Sequence, residues 1–283
     1  LLILITLFLL PSLAQAANYY VDNQATGLNN GTSWTDAWGG FRDINWNIIQ
    51  SGDNIYISGG NGSKSYSDYG IVVKASGSES NPITITVGAN SPHPEGHDGY
   101  VVIDNNDYHG IRIGDYTNDL GYSYITIDGQ VGDSHEKYIR IVNPRYDGIA
   151  VQYTSHDIIL SHIDVDMAFA GEATGEGINL YLTRSGNNQK AIEITHCNVY
   201  NCAGPGGCIQ MNTPASEPRR NFFDFIVLDN IDIHDFHGDG IKINTDGVTF
   251  KNSKIHDTGS YFNDHPDGRS EERRVGKECA TGC

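Results

Sequence analysis

The sequence predicts an all-β chain folded as a single-stranded parallel β-helix, a solenoid in which short strands wind around one apolar core. Three observations predict it. One five-residue pattern recurs five times, a second series of segments recurs out of phase with the first, and turn residues separate the two series. The first series is HGIRI (109–113), DGIAV (147–151), EGINL (176–180), GCIQM (207–211) and DGIKI (239–243). Short apolar segments that recur every roughly 20–40 residues are typical of a solenoid.

The first series supplies one strand in each winding, because its third and fifth residues are apolar and its fourth is variable. Apolar spacing of two, with an excess of β-branched residues, favours strands over helices. Windings stacked about 4.8 Å apart would place the third residues in one buried column. That column comprises Ile111, Ile149, Ile178, Ile209 and Ile241.

The second series is ILSHIDVD, EITHCNVY, VLDNIDIH and TFKNSKIH, which begin at 159, 193, 227 and 249. One polar position of this series recurs as His162, His196, Asn230 and Asn252, and we expect these side chains to form a ladder at a turn. Nearby, Cys202 and Cys208 flank a Gly- and Pro-rich turn. With Cys197 they form either one disulfide and a free thiol or three small buried residues.

Residues 17–60 are expected to cap the β-helix, whose coils follow at 81–268. FRDINWNIIQ (41–50) places Phe41, Ile44, Ile48 and Ile49 at helical spacing, which predicts a capping helix over an otherwise unpaired strand edge. Residues 1–16 join an apolar run to a small-x-small cleavage pattern, so we expect a signal-peptide remnant and a secreted protein. No other stretch reaches the ~18 apolar residues of a membrane span.

The order YYVDN, GTSW, GDNIYISGG, SGSESNPITITVGAN, VVID and YITIDG resembles the start of exported right-handed parallel β-helix proteins of the pectate-lyase-like superfamily. The resemblance covers nearly all of residues 17–268. It implies a right-handed winding and a polysaccharide partner. Because the superfamily includes lyases, hydrolases and proteins without known catalysis, the resemblance leaves the activity open.

Residues 269–283 depart from the repeat. Asp267-Gly268 would begin a sixth unit, but Arg269 and a run of charged residues follow where the pattern requires Ile. RSEERRVGKEC (269–279) also resembles a translated sequencing adapter. We therefore expect a non-native tail and a β-helix truncated at its C-terminal end.

The formal net charge of −17, from 35 acidic and 18 basic side chains, disfavours nucleic acid as a partner. An anionic polymer would need a cation or a local basic column in order to bind. We expect the protein to act as a monomer.

The acids that open three of the five-residue units are the first candidate site: Asp147, Glu176 and Asp239. An isolated carboxylate inside an apolar stack is costly, so we expect these acids to lie outside it, turned outward by the following Gly. There they would flank the fourth-position residues Arg112, Ala150, Asn179, Gln210 and Lys242. Of these, Arg112, Asn179 and Gln210 are candidate substrate-binding residues.

Four interpretations of the acids stay open. Asp147 and Glu176, one winding apart, approach the ~5 Å separation of the carboxylates in retaining glycosidases. Glu176 and Asp239, two windings apart, approach ~10 Å, around the upper limit for inverting glycosidases. Asp147, Glu176 and Asp239 are also hard oxygen ligands suited to Ca²⁺. Alternatively, Asp-Gly is simply good turn chemistry.

The catalytic candidates are Lys242, Asp239, Glu176 and His237. In β-helix polysaccharide lyases, as the resemblance implies, a cation neutralises a uronate and a nearby Lys or Arg removes the C5 proton, and Lys242 would be that base. His237 is a candidate general acid or base, or a transition-metal ligand together with His234 and Asp239, or a structural histidine. The sequence therefore predicts a Ca²⁺-dependent lyase of an acidic polysaccharide, with a non-catalytic surface or adhesive β-helix and a paired-carboxylate glycoside hydrolase as alternatives.

Overall fold

The computed structural model describes residues 16–104, 108–168, 175–183, 191–203, 207–212, 226–245 and 247–258. Within them the chain is built from short strands joined by turns, with two single-turn 3-10 helices at Phe41–Asp43 and Gly88–Asn90. The strands are β1 (Asn18–Val21), β2 (Asn54–Ile57), β3 (Ser63–Tyr66), β4 (Ile71–Val73), β5 (Ile83–Val87), β6 (Tyr100–Asp104), β7 (Ile111–Ile113), β8 (Ile125–Asp128), β9 (Ile139–Val142), β10 (Ile149–Tyr153), β11 (Ile158–Ser161), β12 (Ile163–Asp166), β13 (Ile178–Leu182), β14 (Ile192–Thr195), β15 (Asn198–Tyr200), β16 (Ile209–Asn212), β17 (Ile226–Asp229), β18 (Asp232–His234), β19 (Ile241–Asn244), β20 (Val248–Lys251) and β21 (Lys254–Ile255).

The strands form three sheets, and each full winding gives one strand to each sheet. The first sheet has the order β1-β2-β5-β8-β11-β14-β17-β20, the second β3-β6-β9-β12-β15-β18-β21, and the third β4-β7-β10-β13-β16-β19. Neighbouring strands in each sheet are parallel, as illustrated by β10 between β7 and β13. The described chain is therefore all-β with the arrangement of a parallel β-helix, as predicted.

The predicted column of isoleucines is confirmed in the third sheet. Ile149 pairs with Ile111 and Ile178, and the column continues through Ile209 to Ile241. All five side chains are buried in one apolar core that runs the length of the stack. The structure adds a winding that the sequence reading missed, since Ile71 of the segment YGIVV (69–73) pairs with Ile111.

Glycine fills the second position of four of the five units, and space requires it in at least two of them. A Cβ on Gly148 would lie 2.3 Å from Cγ1 of Val165, and one on Gly177 would lie 2.2 Å from Cγ1 of Val199. Both valines belong to the second sheet and point into the core. The unit 207–211 instead has Cys208 at this position.

The predicted ladder lies at the turn between the first and second sheets. His162, His196, Asn230 and Asn252 all have left-handed backbone conformations, with φ between 50° and 59°. The rings of His162 and His196 stack with centroids 4.7 Å apart. Asparagine tolerates this backbone conformation better than most residues, which explains its recurrence here. Farther along, Cys202 and Cys208 form a disulfide, and Cys197 is a buried free thiol.

The predicted capping helix over 41–50 is wrong as secondary structure, because only Phe41–Asp43 form a single 3-10 turn. The side chain of Asn45 accepts a hydrogen bond from the backbone N–H of Asn47 at 3.2 Å, a local contact that competes with helical hydrogen bonds. Phe41, Ile44 and Ile49 are nevertheless buried, whereas Ile48 is exposed. That residues 17–60 act as a cap stays a prediction.

Several expectations concern residues outside the described part of the chain. They include nearly all of the signal-peptide remnant (1–16), the broken unit at Asp267 and the tail at 269–283. The division into domains and the handedness of the winding stay predictions. No helix among the described residues is both long and apolar enough to span a bilayer.

Candidate active site

The outer face of the third sheet carries the predicted site residues. We number its strands β4, β7, β10, β13, β16 and β19 as rungs one to six. The fourth-position residues form one column along this face, in which Val72 precedes the predicted Arg112, Ala150, Asn179, Gln210 and Lys242. A second column two residues on continues with Gln152, Tyr181, Asn212 and Asn244. The face is therefore lined by polar side chains over rungs two to six.

Asp147 and Glu176 form a carboxyl pair at the edge of this face, where the chain enters rungs three and four. Their carboxyl groups are hydrogen-bonded to each other. The backbone N–H of Glu176 donates to Asp147 Oδ1 at 2.9 Å. The side-chain amide of Asn179 donates to both partners, at 3.3 Å to Asp147 Oδ2 and 3.1 Å to Glu176 Oε2. His109 Nδ1 lies 3.3 Å from Asp147 Oδ2 on the other side.

The two carboxyl groups of the pair have opposite pKa shifts. Burial, together with hydrogen bonding to Asp147 and repulsion from its charge, raises the pKa of Glu176 to about 8. Burial also acts to raise the pKa of Asp147, but hydrogen bonds with His109 and Glu176 outweigh it and hold that pKa below its usual value. At neutral pH the pair therefore holds one proton, on Glu176, beside an ionised Asp147.

The pair is less open than the sequence suggested. Asp147 lies beside the fourth-position residue Asn179, as expected, but only 4% of its surface is exposed, so it does not form an open groove floor. Its burial is tolerated because its carboxylate accepts several hydrogen bonds, which compensate the lost hydration. Glu176 is partly exposed and is the member of the pair that a ligand can reach.

Arg112 lies on rung two, next to the pair, and is enclosed by tyrosines. Its guanidinium donates to the hydroxyl of Tyr108 and lies 5.1 Å and 5.3 Å from the ring centroids of Tyr108 and Tyr116. The residue is only 9% exposed. Tyr116 in turn accepts a hydrogen bond from the side chain of Gln152. These contacts hold a cation in place on the rung next to that of Asp147.

Three buried polar atoms on this face have no hydrogen-bond partner within the described residues: Arg112 Nε, Gln152 Oε1 and Asn179 Oδ1. Unpartnered buried polar atoms are costly in a folded protein, and their clustering is a mark of a functional site. These atoms lie just beneath the surface of the face, so they mark where its polar network is incompletely satisfied.

Exposed tyrosines flank the polar face on both sides. Tyr146 precedes rung three and is 39% exposed, whereas Tyr116 and Tyr181, near the far ends of rungs two and four, are 50% and 37% exposed. Tyr153 lies between the last two, with ring centroids 5.9 Å from Tyr116 and 6.4 Å from Tyr181. Aromatic rings beside polar side chains provide both apolar contact and hydrogen bonding for a ligand.

The other predicted catalytic residues lie away from the pair. Gly207 occupies the first position of rung five, so a residue without a side chain separates Glu176 from Asp239. Lys242 lies on rung six beyond Gln210, and its charge acts to lower the pKa of Glu176. His237 donates its backbone N–H to the carbonyl of Cys202 at the preceding turn.

The predicted calcium ligands do not converge. The described residues contain no group of three His, Cys, Asp or Glu side chains placed to hold a metal ion. Asp147 also uses its oxygens to accept hydrogen bonds from Glu176 and Asn179. Calcium stays a prediction from the sequence, without support from the geometry of these residues, and His234 does not join a metal cluster either.

Sequence reasoning missed His109, Gln152 and the flanking tyrosines. His109 was visible as the first residue of the unit HGIRI, which places it one rung before Asp147. Gln152 and Tyr181 follow the fifth position of their units, so extending each strand by one residue would have found them. No signal in the repeat marks Tyr116, which lies in the turn after rung two.

No protein-family model matches the sequence, and no curated protein matches it either. Among solved structures, the crystal structure of pectate lyase Pel9A is similar with a TM-score of 0.35 and 13% identity, over 89% of this chain and 72% of the pectate lyase. A TM-score this low supports neither a shared activity nor shared site residues.

Proposed function

We propose that this protein is a carbohydrate-active enzyme that cleaves a glycosidic bond of a polysaccharide bound along the outer face of the third sheet. The observation that carries the proposal is the Asp147–Glu176 pair, in which one carboxyl group keeps its proton at neutral pH and the other is ionised. Two carboxyl groups held in opposite states are the arrangement by which glycosidases divide acid and electrostatic roles.

Glu176 would be the proton donor, because it is protonated at neutral pH and partly exposed. As the bond between the anomeric carbon and the bridging oxygen breaks, its proton passes to the leaving oxygen. A water molecule then bonds to the anomeric carbon, and its proton returns to Glu176. The sum of the steps is hydrolysis.

Asp147 would stabilise the positive charge that develops on the sugar ring. Asp147 is buried, and its carboxylate accepts hydrogen bonds from the backbone N–H of Glu176 and the side chain of Asn179. Both facts favour an electrostatic role over attack as a nucleophile. Arg112 and Asn179, on rungs two and four of this face, would bind hydroxyl or acidic groups of the sugar.

The test is glycosidic cleavage by the full chain across neutral and acidic polysaccharides, followed by release of reducing ends. We expect Glu176→Gln to lower kcat about 10²–10⁴-fold on whichever polymer is cleaved. Glu193→Gln, which changes an outward-pointing glutamate of the first sheet, is the matched control and should leave kcat unchanged. The wild-type rate should fall as the pH rises past about 8, the pKa of Glu176. Full activity of Glu176→Gln would disprove the assignment.

β-Elimination with Lys242 as the base and calcium as cofactor is the second proposal, and Arg112 is the observation in its favour, because a fixed cation on this face suits an acidic sugar. Elimination leaves an unsaturated product that absorbs in the ultraviolet, whereas hydrolysis does not. Unsaturated product that disappears with a chelator and with Lys242→Ala would establish the lyase in place of the hydrolase.

A non-catalytic glycan-binding protein is the third candidate, supported by the exposed Tyr116, Tyr146 and Tyr181. Binding of a polysaccharide without any product, unchanged in Glu176→Gln, would establish it. Export and a monomeric state stay proposals from the sequence.

A further inference from the structure

A cavity lies at the rung-one end of the outer face of the third sheet, away from the carboxyl pair. Its volume is about 290 Å³. Val72 and Lys74 of rung one form one wall, and the segment from Phe41 to Trp46 forms the other. The full lining is Phe41, Arg42, Ile44, Trp46, Tyr69, Val72 and Lys74. The irregular segment that replaces the predicted helix thus encloses a space beside the first rung.

The charge of this cavity is opposite to that of the chain. Arg42 and Lys74 line it, both are exposed, and none of the lining residues is acidic. In a chain with a net charge of −17, two cations without a lining carboxylate form a local positive potential. The cavity therefore favours an anionic group.

The aromatic residues of the cavity favour a ring. Trp46 lines it and is only partly buried, so part of its ring remains accessible, whereas the Tyr69 ring packs against Arg42 and Tyr108. The guanidinium of Arg42 lies 4.8 Å from the centroid of the Tyr69 ring, which fixes the cation beside the aromatic surface. A flat apolar surface next to fixed cations suits a sugar ring that carries an acidic substituent.

The cavity is connected to the candidate active site by a row of side chains. The ring of Tyr69 stacks on Tyr108 with centroids 5.0 Å apart, and Tyr108 contacts Arg112. Rung one and rung four are three strand spacings apart, about 14 Å. A polymer that reaches Glu176 on rung four can therefore extend several sugar units to the cavity.

A second polar groove provides a contrast. Lys137 and Lys254 line it, but Asp232 lines it as well, and no Tyr, Trp or Phe is among its lining residues. It lies at the edge shared by the first and second sheets, away from the face that carries Glu176. This groove has cations beside a carboxylate and histidine rings but no Tyr, Trp or Phe, so its two lysines are suited to a control.

We propose that the cavity around Arg42, Trp46, Tyr69 and Lys74 is a distal binding site for an acidic sugar unit, carboxylated or sulfated. Its link to catalysis rests on the proposed function, since the bound unit would belong to the polymer cleaved at Glu176. Binding to the cavity itself does not depend on cleavage.

The test measures binding by calorimetry in the Glu176→Gln background, so that cleavage plays no part. The ligands are a galacturonate hexamer, a heparin hexasaccharide and an uncharged glucose hexamer. We expect Lys74→Ala and the double variant Arg42→Gln with Lys74→Ala to weaken binding of an acidic hexamer about tenfold or more, because charge-assisted hydrogen bonds are lost. Weakening for galacturonate alone identifies a carboxylated unit, and weakening for heparin alone a sulfated one.

The control is the double variant Lys137→Ala with Lys254→Ala, which removes the same charge elsewhere and should bind as the parent does. Equal weakening of binding in the control and the cavity variants would show that the loss of affinity comes from the change in net charge, and it would overturn the proposal. Unchanged binding in both cavity variants would also overturn the proposal. Melting temperatures equal to that of the parent would show that any weakening is not caused by unfolding. These outcomes are distinct from failure of the proposed function, which would appear as uncleaved substrate with the wild-type carboxyl pair.

Discussion

The shared proton of the Asp147–Glu176 pair predicts that replacing Glu176 by glutamine will change the pH dependence of stability. Glu176 has its pKa raised from the usual 4.5 to about 8 in the folded chain. A raised pKa stabilises the fold fully below the unfolded value, and this stabilisation is lost as the pH rises through the folded value. The wild-type free energy of unfolding should therefore fall between about pH 4.5 and pH 8.

The size of this fall follows from the shift in pKa. Each pKa unit corresponds to about 1.4 kcal/mol, so the full shift gives an upper bound of about 5 kcal/mol. Because Glu176 is partly exposed, solvent screening reduces this to about 2–5 kcal/mol. Asp147, whose pKa is lowered, contributes only below its usual range and does not affect this interval.

Urea unfolding at pH 5, 7 and 9 measures the effect in wild type, Glu176→Gln and the control Glu193→Gln. Glutamine keeps an N–H that can donate to Asp147, as the protonated acid does, so at pH 5 the variant should be within about 1 kcal/mol of wild type. At pH 9 it should be about 2–5 kcal/mol more stable than wild type. An equal decline with pH in wild type and Glu176→Gln would refute the shared proton, and the control should follow wild type throughout.

Two further predictions concern the fold. Gly177→Ala should lower the free energy of unfolding by about 1–3 kcal/mol, because the added Cβ would clash with Val199. Gly62→Ala is the control, since a Cβ at Gly62 has nothing within 4 Å. Equal effects of the two substitutions in urea unfolding would contradict this prediction. Replacing Cys202 and Cys208 by alanine should cost about 2 kcal/mol through the lost loop constraint, and an unchanged midpoint between oxidised and reduced wild type would show that the bond does not form.

The repeat predicted the core better than it predicted the ends. Ile149 and Ile178 could be aligned from the sequence because each follows an acidic residue and a glycine and is separated by one residue from a second apolar residue. The first winding was not predicted because Val72 is apolar at the outward position of YGIVV, so this segment does not alternate between apolar and polar residues. At 41–50, helical spacing of apolar residues was a poor guide because Asn45 and Asn47 favour local turns over helix.

The sequence predicted that the acidic residues lie in one column, but it did not predict their protonation states. Equivalent positions in adjacent units placed Asp147 and Glu176 one rung apart, and the structure agrees. Their protonation depends on burial and on contacts between rungs, such as that of His109 with Asp147. The repeat places these residues side by side, but it does not predict how deeply each carboxyl group is buried.

Stacked carboxylates in a β-helix must be neutralised, and the two means available have different consequences. A cation would require several free oxygens from more than one rung, whereas a proton requires only that one carboxyl group have a high pKa. Here Gly207 interrupts the acidic column after Glu176, and the hydrogen bonds to Asp147 occupy its oxygens. Burial and a fixed neighbouring charge raise the pKa of Glu176 to about 8, so a proton is sufficient at neutral pH. Under the proposed function, the same protonated Glu176 would be the group that donates a proton to the leaving oxygen.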